Sequence, residues 1–282
     1  MPLRRKVQFG FVVLGPRAGN VPGLVSRSSR QALARGARLA GRSVMMQRMT
    51  DLDYDRFDAL TFDCYGTLID WEAGILGALR RVLGPRGVVP PDDELLERYA
   101  RSEAGAEAGP YLSYREILGR CLREIGSDYD VSPDDTEVTT FGGSVVDWPA
   151  FPDSAGALER LHGRFRLGVL TNCDDDLFAG SAARLETDFD WVVTAQQVGS
   201  YKPNPQNFHT MFDRLGIPRD RILHVAQSLF HDHVPAKALG LTTVWIDRRH
   251  DRTGFGATRP ATAVPDATFP DMASFAVAAT RA

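Results

Sequence analysis

Five short apolar runs set the limits on this chain. FDALTF (57–62), RLGVLTN (166–172), DWVVTA (190–195), RILHVAQS (221–228) and TTVWIDR (242–248) each stop at a polar, loop-like cluster. Runs of that length, rich in Val, Ile, Thr and aromatic residues, predict strands. Between them SAGALERLHGR, NPQNFHTMFDRLG (204–216) and HDHVPAKALG (231–240) place apolar residues three and four apart, which predicts helices. Strands alternating with helices predict an α/β fold, a doubly wound parallel sheet with right-handed crossovers.

The alternation is interrupted once. From Trp71 to about Tyr129, ILGALRRVL, ELLERYARSEA and YREILGRCLREIG are all helical in pattern and are broken by GPRGVVPPDD. We therefore expect a sheet domain built from residues 51–71 and 151–282 and a smaller helical domain at 72–150. The Ala-, Thr- and Pro-rich tail after Arg259 reads as loop followed by a closing segment.

Charge separates the first 50 residues from the rest. They hold ten Lys and Arg and no Asp or Glu, leaving 23 basic against 36 acidic residues in the remainder. Such an Arg-rich stretch is expected to be a poorly ordered extension; an organellar transit peptide, or a start misassigned ahead of Met45, Met46 or Met49, is compatible with the same composition. The acidic body carries no basic stripe, so a nucleic-acid partner is not expected. No apolar run approaches the roughly 18 residues that span a bilayer. Three cysteines, Cys64, Cys121 and Cys173, give neither a disulfide framework nor a metal-ligand spacing, which suits a cytoplasmic setting and a small-molecule partner.

In a doubly wound sheet, ligands bind beyond the carboxyl ends of the strands. Asp63, Thr171, Lys202 and the segment from Gln227 to Asp232 all fall just past strand ends or in the connecting loops. Four segments, FDCYGTL (62–68), LTNCD (170–174), YKPNPQNF (201–208) and HVAQSLFHD (224–232), resemble in order and spacing the four motifs of the haloacid dehalogenase superfamily. That resemblance covers residues 55–250 and implies a Rossmann-like core, with the insert as a helical cap over the active site. Within the superfamily the chain looks most like the L-2-haloacid dehalogenases, and a homodimer is plausible by the same resemblance.

Two positions favour that reading. Superfamily phosphatases generally place a second Asp two residues after the nucleophile to protonate a phosphoester leaving group; here it is Tyr65, and halide leaves without a proton. They also use a fourth-motif Asp to hold magnesium, where this chain has Gln227, and a neutral amide is a poorer ligand for a hard cation. The resemblance thus implies metal-independent chemistry with no cofactor. Asp63 is the expected nucleophile, forming an ester at C2 of a small 2-haloalkanoic acid that water then cleaves. Lys202 matches the superfamily lysine that offsets the negative charge, and Asp232 matches the carboxylate that holds or activates water. Thr67 and Thr171 are expected to hydrogen-bond the Asp63 carboxylate and the substrate carboxylate. Tyr65, Asn172, Gln227 and Ser228 are expected around the substrate, with Tyr65 and Trp71 as its apolar wall and the N–H groups of Tyr65, Asn172 and Cys173 as anion donors. Arg98 is the expected cap arginine that receives halide, with Arg101 its rival. His231 and His233 flank Asp232 in a loop role, without a third metal ligand in suitable spacing.

Thr171, Phe208, Gln227 and Leu229 stand where the haloacid dehalogenases commonly have Ser, Tyr, Ser and Asn, which bears on the substrate more than on the nucleophile. Two rival readings stay open: a related hydrolase on Asp63, either a phosphatase with atypical magnesium ligation or an enzyme opening another C2 leaving-group bond, and a catalytically silent binding protein of this fold.

Overall fold

The computed structural model describes residues 52–252 and 256–281; the expectation for residues 1–50 lies outside them. The apolar runs form β1 (Ala59–Phe62), β2 (Arg166–Thr171), β3 (Trp191–Thr194), β4 (Ile222–Ala226) and β5 (Thr242–Ile246), joined at the edge by β6 (Ala267–Phe269). They make one parallel sheet in the order β3-β2-β1-β4-β5-β6. β6 arises inside the Pro-rich tail read as loop; three residues are too few for a periodic signal. At the centre, Phe62 lies level with Val169 on one side and Val225 on the other. The chain winds outward from β1 to β3 and then returns to place β4 beside β1, so the strand order reverses there and opens a crevice past the strand ends.

Every residue of β1 and β4 is buried, as a sheet covered on both faces requires. On one face Ala59, Leu170, Val193 and Ile222 pack with Phe208, Met211, Phe212 and Leu215 of α8 (Pro205–Leu215) and Ala236 of α9 (Val234–Ala238). On the other, Leu60, Phe62, Leu167 and Val169 join a larger core with Leu158 of α5 (Ser154–His162), Leu177 of α6 (Asp175–Leu185) and Phe275 of α10 (Met272–Ala279). The short α7 (Ala195–Val198) leads from β3 toward the Lys202 loop.

The helical insert leaves the sheet after β1 and comprises α1 (Trp71–Leu83), α2 (Asp92–Glu107), α3 (Tyr114–Asp128) and α4 (Asp135–Gly143). α3 and α4 each begin with a capping box, Ser113 with Glu116 and Asp134 with Glu137. The loop after β2 reaches up to α3: the buried Asp174 carboxylate accepts from the Tyr114 N–H (2.9 Å) and the Arg115 N–H (3.1 Å). The Tyr201 hydroxyl donates to the Leu112 carbonyl at 2.8 Å, a second tie between core and insert.

Where the insert returns, Trp148 is buried against Gly74 of α1, and its ring lies edge-on to Tyr65 at 5.7 Å. A Cβ at Gly74 would sit 2.2 Å from the indole ring, so only glycine fits this crossing. Gly74→Ala is therefore expected to destabilise the fold by about 1–3 kcal/mol, the usual range for an overfilled core. Urea unfolding checks this, and an unchanged midpoint would mean that Trp148 has room to move.

Candidate active site

Asp63 follows β1 directly, and its N–H still donates to the Val225 carbonyl of β4 at 3.1 Å, which fixes it at the reversal of strand order. The turn after it depends on Gly66, whose φ of +90° and close neighbours, Trp71 Nε1 and Gln227 Oε1, admit no side chain. This turn brings Thr67 back so that its hydroxyl donates to Asp63 Oδ2 at 2.7 Å while accepting the Gln227 N–H at 2.9 Å.

Lys202 enters from the loop before α8 and is 1% exposed. Its ammonium donates to Asp63 Oδ1, Asp232 Oδ1 and the Leu170 carbonyl, each at 2.8 Å. Three acceptors satisfy all three N–H bonds, as a buried ammonium demands. Asn172 fixes the lysine backbone on both sides: Lys202 N–H donates to its Oδ1 at 2.7 Å and its Nδ2 donates to the Lys202 carbonyl at 3.0 Å. Burial would push Lys202 down, but Asp232 and Asp63 hold it above its ordinary value, so it stays charged. Asp232 is pushed up by burial yet held well below the carboxylate range by Lys202 and the His224 bond. For Asp63, burial outweighs the pull of Lys202 and raises the carboxyl.

Behind Asp232 the network continues to His224 Nε2 (3.0 Å), and His224 Nδ1 meets the Thr61 hydroxyl at 2.9 Å. His224 lies in β4, in an otherwise apolar run, and sequence reasoning missed it; a lone imidazole inside RILHVA was the available signal. Asp232 sits in a single π-helical turn, Leu229–His233, of the kind that often marks functional sites. In the same turn, Ser228 Oγ accepts the His231 N–H at 3.0 Å and lies 3.2 Å from His231 Nδ1. Burial lowers His231 to about 4, so the imidazole is neutral at pH 7.

A small cavity, about 30 Å³, opens over Asp63 and is lined by Tyr65, Trp71, Glu103, Glu107, Tyr114, Asn172, Lys202, Ser228, His231 and Thr258. The structure thus gathers Asp63, Lys202, Asp232, Thr67, Tyr65, Asn172 and Ser228 around one carboxylate. Tyr65 contributes its ring, since its hydroxyl is 3.0 Å from Ser181 Oγ beneath α6.

Three expectations are corrected in placement. Thr171 is buried at the end of β2, its hydroxyl without a partner among the described residues, and it does not line the cavity. Gln227 donates its N–H to Thr67 and its carbonyl accepts from Trp245 Nε1 at 2.8 Å, which turns its side chain into a neighbouring cleft beside Gly66 and Trp71. Arg98 is held on the outside of α2 by Glu94 at 3.1 Å and by Asp128, over the Tyr129 ring, away from Asp63. Its rival Arg101 lines a separate outer groove. What α2 presents inward instead is Glu103 and Glu107, which sequence reasoning passed over although Tyr99, Glu103 and Glu107 recur every four residues on one helical face.

A divalent cation does not suit this arrangement. Both Asp63 oxygens are engaged, by Lys202 and Thr67, and Gln227 faces elsewhere. Among the described residues no three His, Cys, Asp or Glu side chains gather as ligands. Nor, among them, is any helix long and apolar enough to cross a membrane.

The family model for haloacid dehalogenase-like hydrolases matches residues 57–239. The haloacetate dehalogenase H-2 of Moraxella sp. (strain B) is 26% identical over 199 residues, 68% of this chain and 87% of its own length. Among solved structures, the L-2-haloacid dehalogenase of Xanthobacter autotrophicus with chloropropionic acid covalently bound superposes with a TM-score of 0.65 at 17% identity, over 78% of this chain and 97% of that one. The HAD-hydrolase YfnB from Bacillus subtilis, bound to magnesium, gives 0.63 at 17% identity over the same shares of the two chains. At such identities the structures show a shared fold.

The lysine bridge generates a prediction. Lys202→Met strands two buried carboxylates and is expected to cost about 3–5 kcal/mol at pH 7. Without the ammonium, both carboxyls titrate above their unfolded values, so the folded variant binds protons the unfolded chain does not and regains stability as pH falls toward about 4. The wild type moves the other way through Asp232, whose lowered value makes acid destabilising. Unfolding midpoints at pH 7 and 4.5 should therefore converge; a constant gap would show that the ion pairs contribute nothing.

Proposed function

Because the chain belongs to the haloacid dehalogenase-like hydrolases, we propose that it hydrolyses a small 2-haloalkanoic acid through an ester on Asp63, without a metal ion. The observation that carries this reading is the buried Lys202 ammonium shared between Asp63 and Asp232, beside a small, partly apolar cavity that Asp63 and Lys202 line. Lys202 and Thr67 each take one oxygen of Asp63, which fixes the carboxylate rotamer for in-line attack at C2. Burial strips water from the nucleophile, while the ammonium offsets the charge that approaches with a second carboxylate. The N–H groups of Tyr65 and Asn172, two residues that line the cavity, are the donors we assign to that carboxylate, with the N–H of the buried Cys173 beside them.

In the second half-reaction, water attacks the Asp63 ester carbonyl, polarised by the same two donors. Asp232 Oδ2 is buried and free of any partner among the described residues, whereas Oδ1 is held by Lys202 and His224. The free oxygen is the position at which the hydrolytic water is held. The covalent adduct in the Xanthobacter autotrophicus structure and the haloacetate chemistry of the Moraxella relative support this assignment. The magnesium-bound structure shows that this fold can hold that cation, and magnesium is what the phosphatase reading would need, but Tyr65 and the averted Gln227 leave that chemistry without its acid and its carboxylate ligand.

The test is a single turnover in ¹⁸O-water with protein in excess over 2-chloropropionate, in EDTA. Chloride release with ¹⁸O in the Asp63 peptide is expected, and ¹⁸O confined to the new hydroxyl would exclude the ester. Asp63→Asn is expected to lower chloride release by at least about 10³-fold. Magnesium-dependent phosphate release from 4-nitrophenyl phosphate, without chloride, would establish the phosphatase instead. Because only ionised Asp63 attacks and burial raises its carboxyl, the acid limb of the pH–rate profile should lie above that of an ordinary Asp.

A further inference from the structure

With Arg98 and Arg101 on the outside of α2, no arginine of the described residues lines the cavity over Asp63. The insert offers carboxyl groups in its place. Glu103 is buried, and one of its oxygens accepts from both the Tyr99 hydroxyl (2.9 Å) and the Tyr114 hydroxyl (2.8 Å). Glu107, one helical turn on, meets the loop after β2 and the π-turn: its Oε1 is at 3.5 Å from Asn172 Nδ2 and its Oε2 at 3.9 Å from His231 Nε2. Both contacts are long, so Glu107 is the less committed of the two carboxyls. It lines the cavity with Asp63 and also the outer cleft that Lys202 shares with Tyr111, Phe230 and Arg259.

Charge decides what such a wall can do. Asp63 and Asp232 already outnumber Lys202, and two further carboxylates facing a substrate that is itself an acid would repel it. Burial pushes Glu103 up to about 7, and burial together with Glu103 pushes Glu107 well above the ordinary range. The groups facing Glu107 are Glu103 on its own helix, Asp63, Lys202, Tyr201, Asn172 and His231, with Arg259 at the mouth. The Lys202 charge and the Asn172 hydrogen bond draw Glu107 down without overcoming burial, and His231 is neutral, so no imidazolium adds to them. At neutral pH the insert thus presents a carboxylic acid O–H to the cavity that Asp63 lines.

Resting on the Asp63 ester reading, we propose that Glu107 is the proton donor to the group displaced from C2, so that this site takes small 2-substituted acids whose leaving group departs with a proton, fluoride ahead of bromide. As the Asp63 oxygen bonds to C2 and the C2–X bond breaks, X leaves with its electron pair and takes the Glu107 proton. Water then opens the ester, restoring the Asp63 carboxylate and yielding the 2-hydroxy acid; the proton released in that step returns to Glu107. The sum is one water consumed and HX formed. An arginine receives a halide by charge, with little regard to its basicity. A neutral acid instead favours the stronger hydrogen-bond acceptor, which is fluoride.

The test compares wild type with Glu107→Gln, which keeps size and an N–H donor but has no proton to transfer, on fluoroacetate, chloroacetate and bromoacetate between pH 5 and 9, reading released halide. Fluoroacetate turnover is expected to fall about 10²-fold or more, and bromoacetate turnover at least tenfold less. In the wild type, fluoroacetate turnover should decline as pH rises through the raised Glu107 value, because the acid form is lost there, and that decline should be missing from the variant. An infrared carboxylic-acid band at pH 7 that disappears in Glu107→Gln is the accompanying signature. An equal fall on all three acids with an unchanged pH profile would overturn the proton-donor role while leaving the ester reading intact. No halide from any of the three by the wild type would overturn the haloacid reading and this one with it.

Discussion

One buried ammonium sets the terms for the site. Lys202 spends its three N–H bonds on two carboxylates and a carbonyl that come from β1, β2 and the π-turn after β4. Each of those elements is therefore tied to the others by charge as well as by the sheet. The arrangement holds because nothing else in the vicinity competes: Asn172 fixes the lysine backbone, Thr67 takes the other oxygen of Asp63, and His224 backs Asp232 from inside the sheet. A carboxylate so held has a fixed rotamer and little hydration, the two conditions that the proposed displacement at carbon would need.

The sheet explains why these residues meet. Reversal of strand order between β1 and β4 leaves their carboxyl ends open, and Asp63 and the segment after Ala226 fall there by register, Phe62 lying level with Val225. This part of the molecule was legible from the chain alone because apolar runs that stop abruptly announce strand ends, and a strand end fixes where the next residue must lie. The backbone hydrogen bonds leave it no freedom. Asp63 is of this kind, sited by the fold rather than by its own side chain; Thr67, Lys202 and Asp232 lie farther along and are brought to it by the turns that follow.

The insert was less legible, and the reason is physical. A helix declares its apolar face, but which polar residue on that face turns inward depends on how the helix is rotated against its neighbours. Arg98 and Glu103 differ by five residues, well over one turn, and tertiary packing decided between them: Glu94 and Asp128 draw Arg98 outward, while Tyr99 and Tyr114 supply hydroxyls that make an inward Glu103 tolerable. His224 was hidden for a related reason, since an imidazole within an apolar strand carries no local sign of the Asp232 partner eight residues later. Gln227 shows the converse case. Its position in the chain was read correctly, yet its backbone bonds to Thr67 and Trp245 turned the side chain away.

The two N–H groups that Asp174 accepts from the first turn of α3 limit how the insert can move. Asp174 acts as a latch made of backbone: swinging α3 clear of the sheet would strip two donors of their acceptor and leave a buried carboxylate bare. Tyr201 reinforces the latch through Leu112. The roof is thus pinned on the side of β2, and beside it lies the cleft lined by Glu107, Tyr111, Asn204 and Phe230, where Arg259 lies over the Phe230 ring at 4.9 Å. That cleft therefore counts a guanidinium and the Glu107 carboxyl among its walls, a cation and an acid at the edge of the insert that a rigid roof keeps in place.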